Sequence, residues 1–318
     1  MSAPEGHAPK TNPSQKTNQP KKTRIEVNGW IVLDKPLGMT STHAVSAVRR
    51  LLNAKKAGHA GTLDPLASGI LPLAFGEATK TVPYVVDGEK AYTFTVDFGS
   101  ETDTDDAEGR VVETSDRRPG QTELEEILPR FEGVIEQVPP RFSAIKIGGE
   151  RAYDLAREGE AIEMKSRQVE IYSLKLVSFS PERATLAAEC GKGTYVRAIA
   201  RDIGRMLGCY GHVTALRRTR VGPFTLADAT PWSALADNPE AAAAAVLPVE
   251  AGLSELECVV MNRDAAMRLR RGQSVILRGR DAPPEGELVY STCAGVPVAV
   301  GMVERGEFVP VRVFNLPM

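Results

Sequence analysis

Cysteine and histidine are scarce in this chain, and neither is clustered. Cys190, Cys209, Cys258 and Cys293 form no Cys-x-x-Cys pair, and His7, His43, His59 and His212 are equally dispersed. That spacing excludes a zinc finger or ribbon, predicts no metal, and fits the reduced thiols of a cytoplasmic protein. No stretch approaches the roughly 18 to 20 uncharged apolar residues of a membrane-spanning helix. Met1 to Arg24 has no hydrophobic run and is rich in Pro, Asn, Gln, Ser and Lys, so residues 1–27 are expected to be a disordered basic tail and not a signal peptide. A dominant charge is missing too: 39 Lys and Arg stand against 41 Asp and Glu, a net charge of -2, which does not by itself point to a polyanionic partner.

At 42% apolar and 25% charged residues, the chain has the composition of a soluble globular protein of one large or two modest domains. Its charges are nevertheless segregated along the sequence. Acids crowd the stretch with Asp97, Glu101, Asp103, Asp105, Asp106, Glu108, Glu113 and Asp116. From Arg141 to Arg220 bases dominate, among them Lys146, Arg151, Arg167, Lys192, Arg197, Arg201, Arg205, Arg217, Arg218 and Arg220. Such a basic region can bind a polyanion on one face while the remainder repels it. The alternative is a solvated surface with scattered arginines.

Periodicity predicts the elements. Trp30 to Leu33 reads as a short strand entering an Asp34-Lys35-Pro36-Leu37-Gly38 turn, after which Ser41 or Thr42 caps a helix carrying Ala44, Val45, Val48 and Leu51. Ala91 to Phe98 alternates as a half-buried strand with Tyr92, Phe94, Val96 and Phe98 on one side. A helix over Thr122 to Phe131 opens on a Thr122/Glu125 capping box. Arg141 to Arg167 is an excursion between strands, and Val169 to Phe179 and Arg183 to Glu189 form a strand pair. The following helix places Val196, Ile199, Ala200, Ile203, Met206 and Leu207 on an apolar stripe, with Arg197, Arg201 and Arg205 sharing a face beside it. The alanine run Ala241 to Ala245 is a helical connector. Beyond it, a short helix (Asn262 to Arg271) and four strand-like runs separated by Gly or Pro make a small β barrel or sandwich.

The segment Gly58 to Leu73 holds one acid, Asp64, among glycines and prolines, so it reads as a shaped loop with Leu63, Leu66, Ile70, Leu71 and Leu73 packed beneath. A carboxylate in an apolar rim needs a reason, because burying an unpaired charge is costly. Two other motifs fail on register. Leu186 stands where a phosphate loop ending in Gly191-Lys192-Gly193-Thr194 needs its first glycine. In Asp103 to Gly109 the glycine comes one residue late for a calcium loop, and Thr114 holds the place of its final Glu.

Asp34-Lys35-Pro36-x-Gly-x-x-Ser41, the Gly58 to Leu73 block, Lys90-Ala91-Tyr92, Gly193-Thr194-Tyr195-Val196-Arg197 and Leu216-Arg217-Arg218 follow one another in the order found in bacterial tRNA pseudouridine-55 synthases. The chain closely resembles this TruB family from about Asn28 to its C-terminus. Ala60 and Ser68 stand where the family often has threonine. The resemblance implies an α+β fold: a mixed, largely antiparallel sheet flanked by helices over 28–246, an RNA-clamping thumb at 137–167, and a PUA-like RNA-binding barrel over 247–318. It implies isomerisation of uridine-55 in the TΨC stem-loop of tRNA, with no cofactor, by a cytoplasmic monomer that needs no protein partner. Guide-RNA-dependent relatives share the Asp64 motif and lack the thumb. A noncatalytic tRNA-folding module is the alternative.

The resemblance further implies that Asp64 is the nucleophile, through a covalent or a glycal intermediate, and that Arg197 pairs with it. Tyr92 falls on the tyrosine that stacks on the flipped base, though an ordinary core aromatic would satisfy its strand. His59 either fills the space the base vacates or orders its loop. Leu216 lines the pocket and Tyr195 adjoins it. Lys35 matches a lysine of the pocket wall, with a helix-preceding surface lysine as the alternative, and Lys35, Arg141, Arg217, Arg218 and Arg220 are expected to contact substrate, mainly phosphates. If Arg197 pairs with a buried Asp64, its removal orphans that charge, at a cost on the order of 3 to 5 kcal/mol.

Overall fold

The computed structural model describes residues 23–143, 146–147, 150–151, 164–277, 279 and 282–317. Most of the expected tail and most of the expected thumb lie outside the described residues.

Strand β1 (Gly29–Lys35) leads to helix α1 (Ser41–Leu51). The cap is Thr40, whose hydroxyl accepts the His43 N–H at 3.1 Å, and not Ser41 or Thr42. Strands β2 (Ala57–His59) and β3 (Ala67–Phe75) bracket the Asp64 loop, so the Gly58–Leu73 segment is looped only at its centre. β3 has strands on both sides and burial on both faces, which suits its apolar run.

After α2 (Val82–Asp87), β4 (Lys90–Phe98) alternates as expected, with Phe94, Val96 and Phe98 buried. β5 (Ser100–Thr102) and β6 (Val111–Thr114) form a hairpin that carries the acids. α3 (Gln121–Ile127) opens at Gly120, whose N–H is accepted by Glu123 at 2.9 Å, so the capping acid is Glu123 and not Glu125. β7 (Gly133–Gln137) precedes the excursion, of which two short paired strands are described, β8 (Lys146–Ile147) and β9 (Glu150–Arg151). β10 (Arg167–Ser180), β11 (Arg183–Cys190), α4 (Val196–Met206), β12 (Gly211–Val221), β13 (Phe224–Thr225) and β14 (Thr230–Pro231) follow.

Ten strands form one mixed sheet in the order β14-β1-β3-β12-β4-β11-β10-β7, with β2 on β3 and β13 on β12. At its centre β3 and β12 run parallel, which places Leu216 and Arg218 beside the exit of the Asp64 loop. Alternation divides the two faces. Ile31, Leu33, Leu71 and Leu73 join Phe94, Val96, Ile199 and Ile203 in the main core. Trp30, Val32, Ile70 and Ala74 face the other way, into a second cluster shared with Val300 and Phe314 of the C-terminal unit. Met206, expected on the α4 stripe, is 48% exposed at the helix end.

The C-terminal unit is a five-stranded sheet that curls into a half-barrel. Its order is β15 (Glu257–Val260), β17 (Leu288–Cys293), β18 (Val296–Glu304), β19 (Glu307–Val313), β16 (Val275–Ile276), with helix α5 (Arg263–Arg270) packed on it. Residues before it run along the ten-stranded sheet: Trp30 and Leu247 exchange backbone hydrogen bonds, and the Trp30 indole N–H donates to the Val249 carbonyl at 3.3 Å. No described helix is long and apolar enough to cross a membrane.

Candidate active site

Asp64 projects from the loop between β2 and β3, with Arg197 Nη2 at 3.1 Å from its Oδ2. The expected burial is reversed between the partners: the Asp64 side chain is 39% exposed and the Arg197 side chain 8%. Arg197 is held from several sides. Its Nη1 lies 3.2 Å from the Asp106 carboxylate, which is 5% exposed, and it donates to the carbonyls of Thr104 at 2.8 Å and Phe142 at 2.9 Å. A cation in the first turn of a helix opposes the helix dipole, and α4 has no acid of its own there. Asp64 and Asp106 supply the missing negative charge from outside the helix.

The same logic continues down α4. Arg201 contacts Asp105 at 3.0 Å and Asp202 at 2.8 Å and donates to the Val138 carbonyl, while Arg205 grips Glu101 through two bonds of 2.6 and 2.7 Å. Acids on the β5–β6 hairpin thus meet arginines one helical turn apart. The segregated charges of the sequence are in large part partners: Arg183 pairs with Asp97, Lys192 with Asp87, and Arg220 with Glu89 and Glu255. Those bases are therefore not an unopposed polyanion surface.

Burial pushes the Asp105 carboxyl up to about 6 despite the opposing pull of Arg201 and Arg197. A carboxyl raised above its unfolded value favours the fold most when protonated. Its contribution is complete below about pH 4 and is lost as pH rises through about 6. Asp105→Asn should therefore gain stability relative to wild type between those pH values, by roughly 3 kcal/mol, with no further change above pH 7. Denaturant melts of both proteins at pH 4, 5, 6 and 7.5 check this; a difference independent of pH contradicts it.

Three side chains hold the backbone around Asp64. Ser41 Oγ donates to the Leu63 carbonyl and accepts the Leu63 N–H, both at 2.9 Å. Lys35 is fully buried, and its ammonium donates to the carbonyls of Pro36 at 3.0 Å, Met39 at 2.9 Å and Ala67 at 2.5 Å. Burial pulls this amine down to about 8, which Asp64 opposes and Arg218 reinforces. With its three donors occupied inside the protein, Lys35 is neither a surface lysine nor a phosphate contact. Arg218, 2% exposed, donates to the carbonyls of Ile70, Thr62 and Gly61 at 2.8, 3.1 and 3.1 Å, so it too is a structural clasp.

Tyr92 lies directly across the β4–β12 pair from Arg218, and Leu216 from Phe94, so all four share the face toward the Asp64 loop. Burial raises the Tyr92 phenol, against the pull of the Arg218 charge. Tyr195 precedes α4, its backbone clasped by the Gln137 amide at 2.8 and 3.2 Å and its ring 5.7 Å from the Arg167 guanidinium. Burial raises its phenol against the pull of Arg167, and the charges of Arg197 and Asp64 also reach it. Leu216 is buried, and His59 ends β2 opposite Leu73, half-buried at the loop's entry. Arg141 is exposed at the start of the excursion.

Arg217 departs from the expected group. Between Leu216 and Arg218 it must face the opposite side of the sheet, where it makes a two-pronged contact with Asp34 at 2.8 and 2.9 Å. Asp106 and Ser41 were missed as site residues. Acids at 101 and 105 opposite arginines at 201 and 205 carried a matching spacing of four that marks the hairpin and α4 as partners.

Residues 49–196 match the family described as TruB family pseudouridylate synthase (N terminal domain), and residues 197–254 match the tRNA pseudouridylate synthase B C-terminal domain. The tRNA pseudouridine synthase B of Bradyrhizobium diazoefficiens is 58% identical over 310 residues, covering 95% of this chain and 90% of that protein. The protein of the same name from Rhodopseudomonas palustris is 56% identical over 306 residues, covering 94% and 84%. Among solved structures, a chain of a Cbf5–Nop10–Gar1 complex superposes with a TM-score of 0.69 at 24% identity, covering 96% of this chain and 90% of that one. That last likeness concerns the fold alone.

Proposed function

Because the chain belongs to the TruB family of pseudouridylate synthases, we propose that it is a tRNA pseudouridine synthase acting on uridine-55 of the TΨC loop, with Asp64 as nucleophile toward a base flipped out of its stack. The observation that carries this reading is a half-open carboxylate beside a buried guanidinium, with Tyr92 and Leu216 on the adjoining sheet face. An aspartate needs no general base to become nucleophilic at neutral pH, since its reference pKa is about 3.9. In the proposed reaction the N1–C1′ bond breaks, the base turns, and a C5–C1′ bond forms. The C5 proton leaves to solvent and N1 acquires one, so no redox partner or cofactor enters the balance.

Extruding a stacked base costs a few kcal/mol. Stacking on Tyr92 returns about 1 to 3 kcal/mol, so the remainder falls to contacts with the tRNA backbone. Lys35 and Arg218 are buried and Arg217 and Arg220 are paired to acids, so those four side chains are not the source of such contacts. The test is tritium release from an unmodified tRNA transcript carrying uridine tritiated at C5. One tritium per tRNA is expected, and none from a transcript with cytidine at position 55. Absence of release from the first transcript overturns the enzyme reading, and equal release from the second overturns the assigned position.

A further inference from the structure

We infer that Ser41 and Arg218 are positioning residues, which together hold the Asp64 loop in its reactive shape and set Tyr92 against it. Four adjacent features support this. Ser41, the first residue of α1, fastens both backbone groups of Leu63, the residue before Asp64. On the other side of the acid, the Gly38 N–H donates to the Pro65 carbonyl at 2.8 Å. Arg218 spreads one guanidinium over Gly61, Thr62 and Ile70, bracketing the loop at entry and exit, and it stands directly across the strand pair from Tyr92. At Gly69 a Cβ would stand 2.1 Å from the Arg218 carbonyl oxygen, so a glycine there permits the close strand approach that puts Arg218 beneath the loop.

A planar guanidinium fits this task because its fork can reach several carbonyls at fixed angles, whereas an ammonium is a single point of charge. Arg218→Lys therefore keeps the charge and loses the fork. Ser41→Ala removes one hydroxyl on the opposite side of the loop and leaves the rest of the protein intact. A displacement of the nucleophile by about 1 Å can lower a rate about 100-fold, so each variant should lose about 10- to 100-fold in kcat at saturating tRNA. Affinity for tRNA and its salt dependence should stay at wild-type values.

The test combines three readouts on the full chain: single-turnover tritium release, filter binding of tRNA at several salt concentrations, and hydrogen exchange of the peptide spanning 60–70. Faster exchange confined to that peptide, with lower kcat and unchanged binding, is the expected result. Wild-type kcat in Ser41→Ala, or unaltered exchange of 60–70 in both variants, overturns the inference. So does weaker binding by Arg218→Lys with a salt slope reduced by about one, the signature of a lost phosphate contact. If Arg218→Lys does not fold, Ser41→Ala decides alone. The inference rests on the pseudouridine synthase reading, but wild-type turnover tests that reading separately and the exchange measurement needs no turnover.

Discussion

Asp64→Asn is expected to eliminate turnover, lowering kcat by at least about 10⁴-fold, while leaving the protein as stable as wild type to within about 1 kcal/mol. The two halves of this expectation have different sources. The activity loss follows from replacing a charged oxygen nucleophile by an amide of the same shape. Unchanged stability follows from exposure: the Asp64 side chain is 39% exposed, and a partly solvated ion pair contributes little. Arg197 would keep Asp106 and the carbonyls of Thr104 and Phe142. Chemical denaturation measured beside the tritium assay separates the two halves.

Arg197→Met should behave in the opposite way, losing stability as well as activity. Here the orphaned charge is Asp106, 5% exposed, rather than Asp64, and two carbonyls also lose their donor. Breaking one side of a buried pair costs about 3 to 5 kcal/mol, whereas replacing both sides by apolar groups is often neutral. Adding Asp106→Leu to Arg197→Met should therefore restore much of the stability and none of the activity. Denaturant midpoints of the single and double variants check it; an Arg197→Met protein as stable as wild type contradicts the burial argument.

Much of this arrangement was legible in the sequence, for identifiable reasons. β4, β10 and β11 were readable because alternation in a half-buried strand leaves a period-two trace, β1 because a short apolar run ends at a Pro/Gly turn, and α4 because its apolar stripe is long. The Asp64–Arg197 pair followed from ordered motifs, and the atoms agree. Roles that depend on which way a side chain turns were not legible. Arg217 and Arg218 are adjacent and chemically identical, yet one reaches Asp34 on one face and the other clasps the loop on the opposite face. Lys35 follows Asp34 in a polar-looking turn, and only β3 pairing places the Ala67 carbonyl over its ammonium. The acid run resembled a failed calcium loop because its arginine partners lie far away along the chain.

The most direct test is single-turnover tritium release from tRNA labelled at uridine C5, with Asp64→Asn in excess over tRNA and binding measured in the same samples. The account expects release indistinguishable from background, with tRNA bound within about threefold of wild-type affinity, because the phosphate contacts that dominate affinity lie elsewhere. Release by Asp64→Asn within about tenfold of the wild-type rate, a difference of only about 1.4 kcal/mol in barrier, would contradict it.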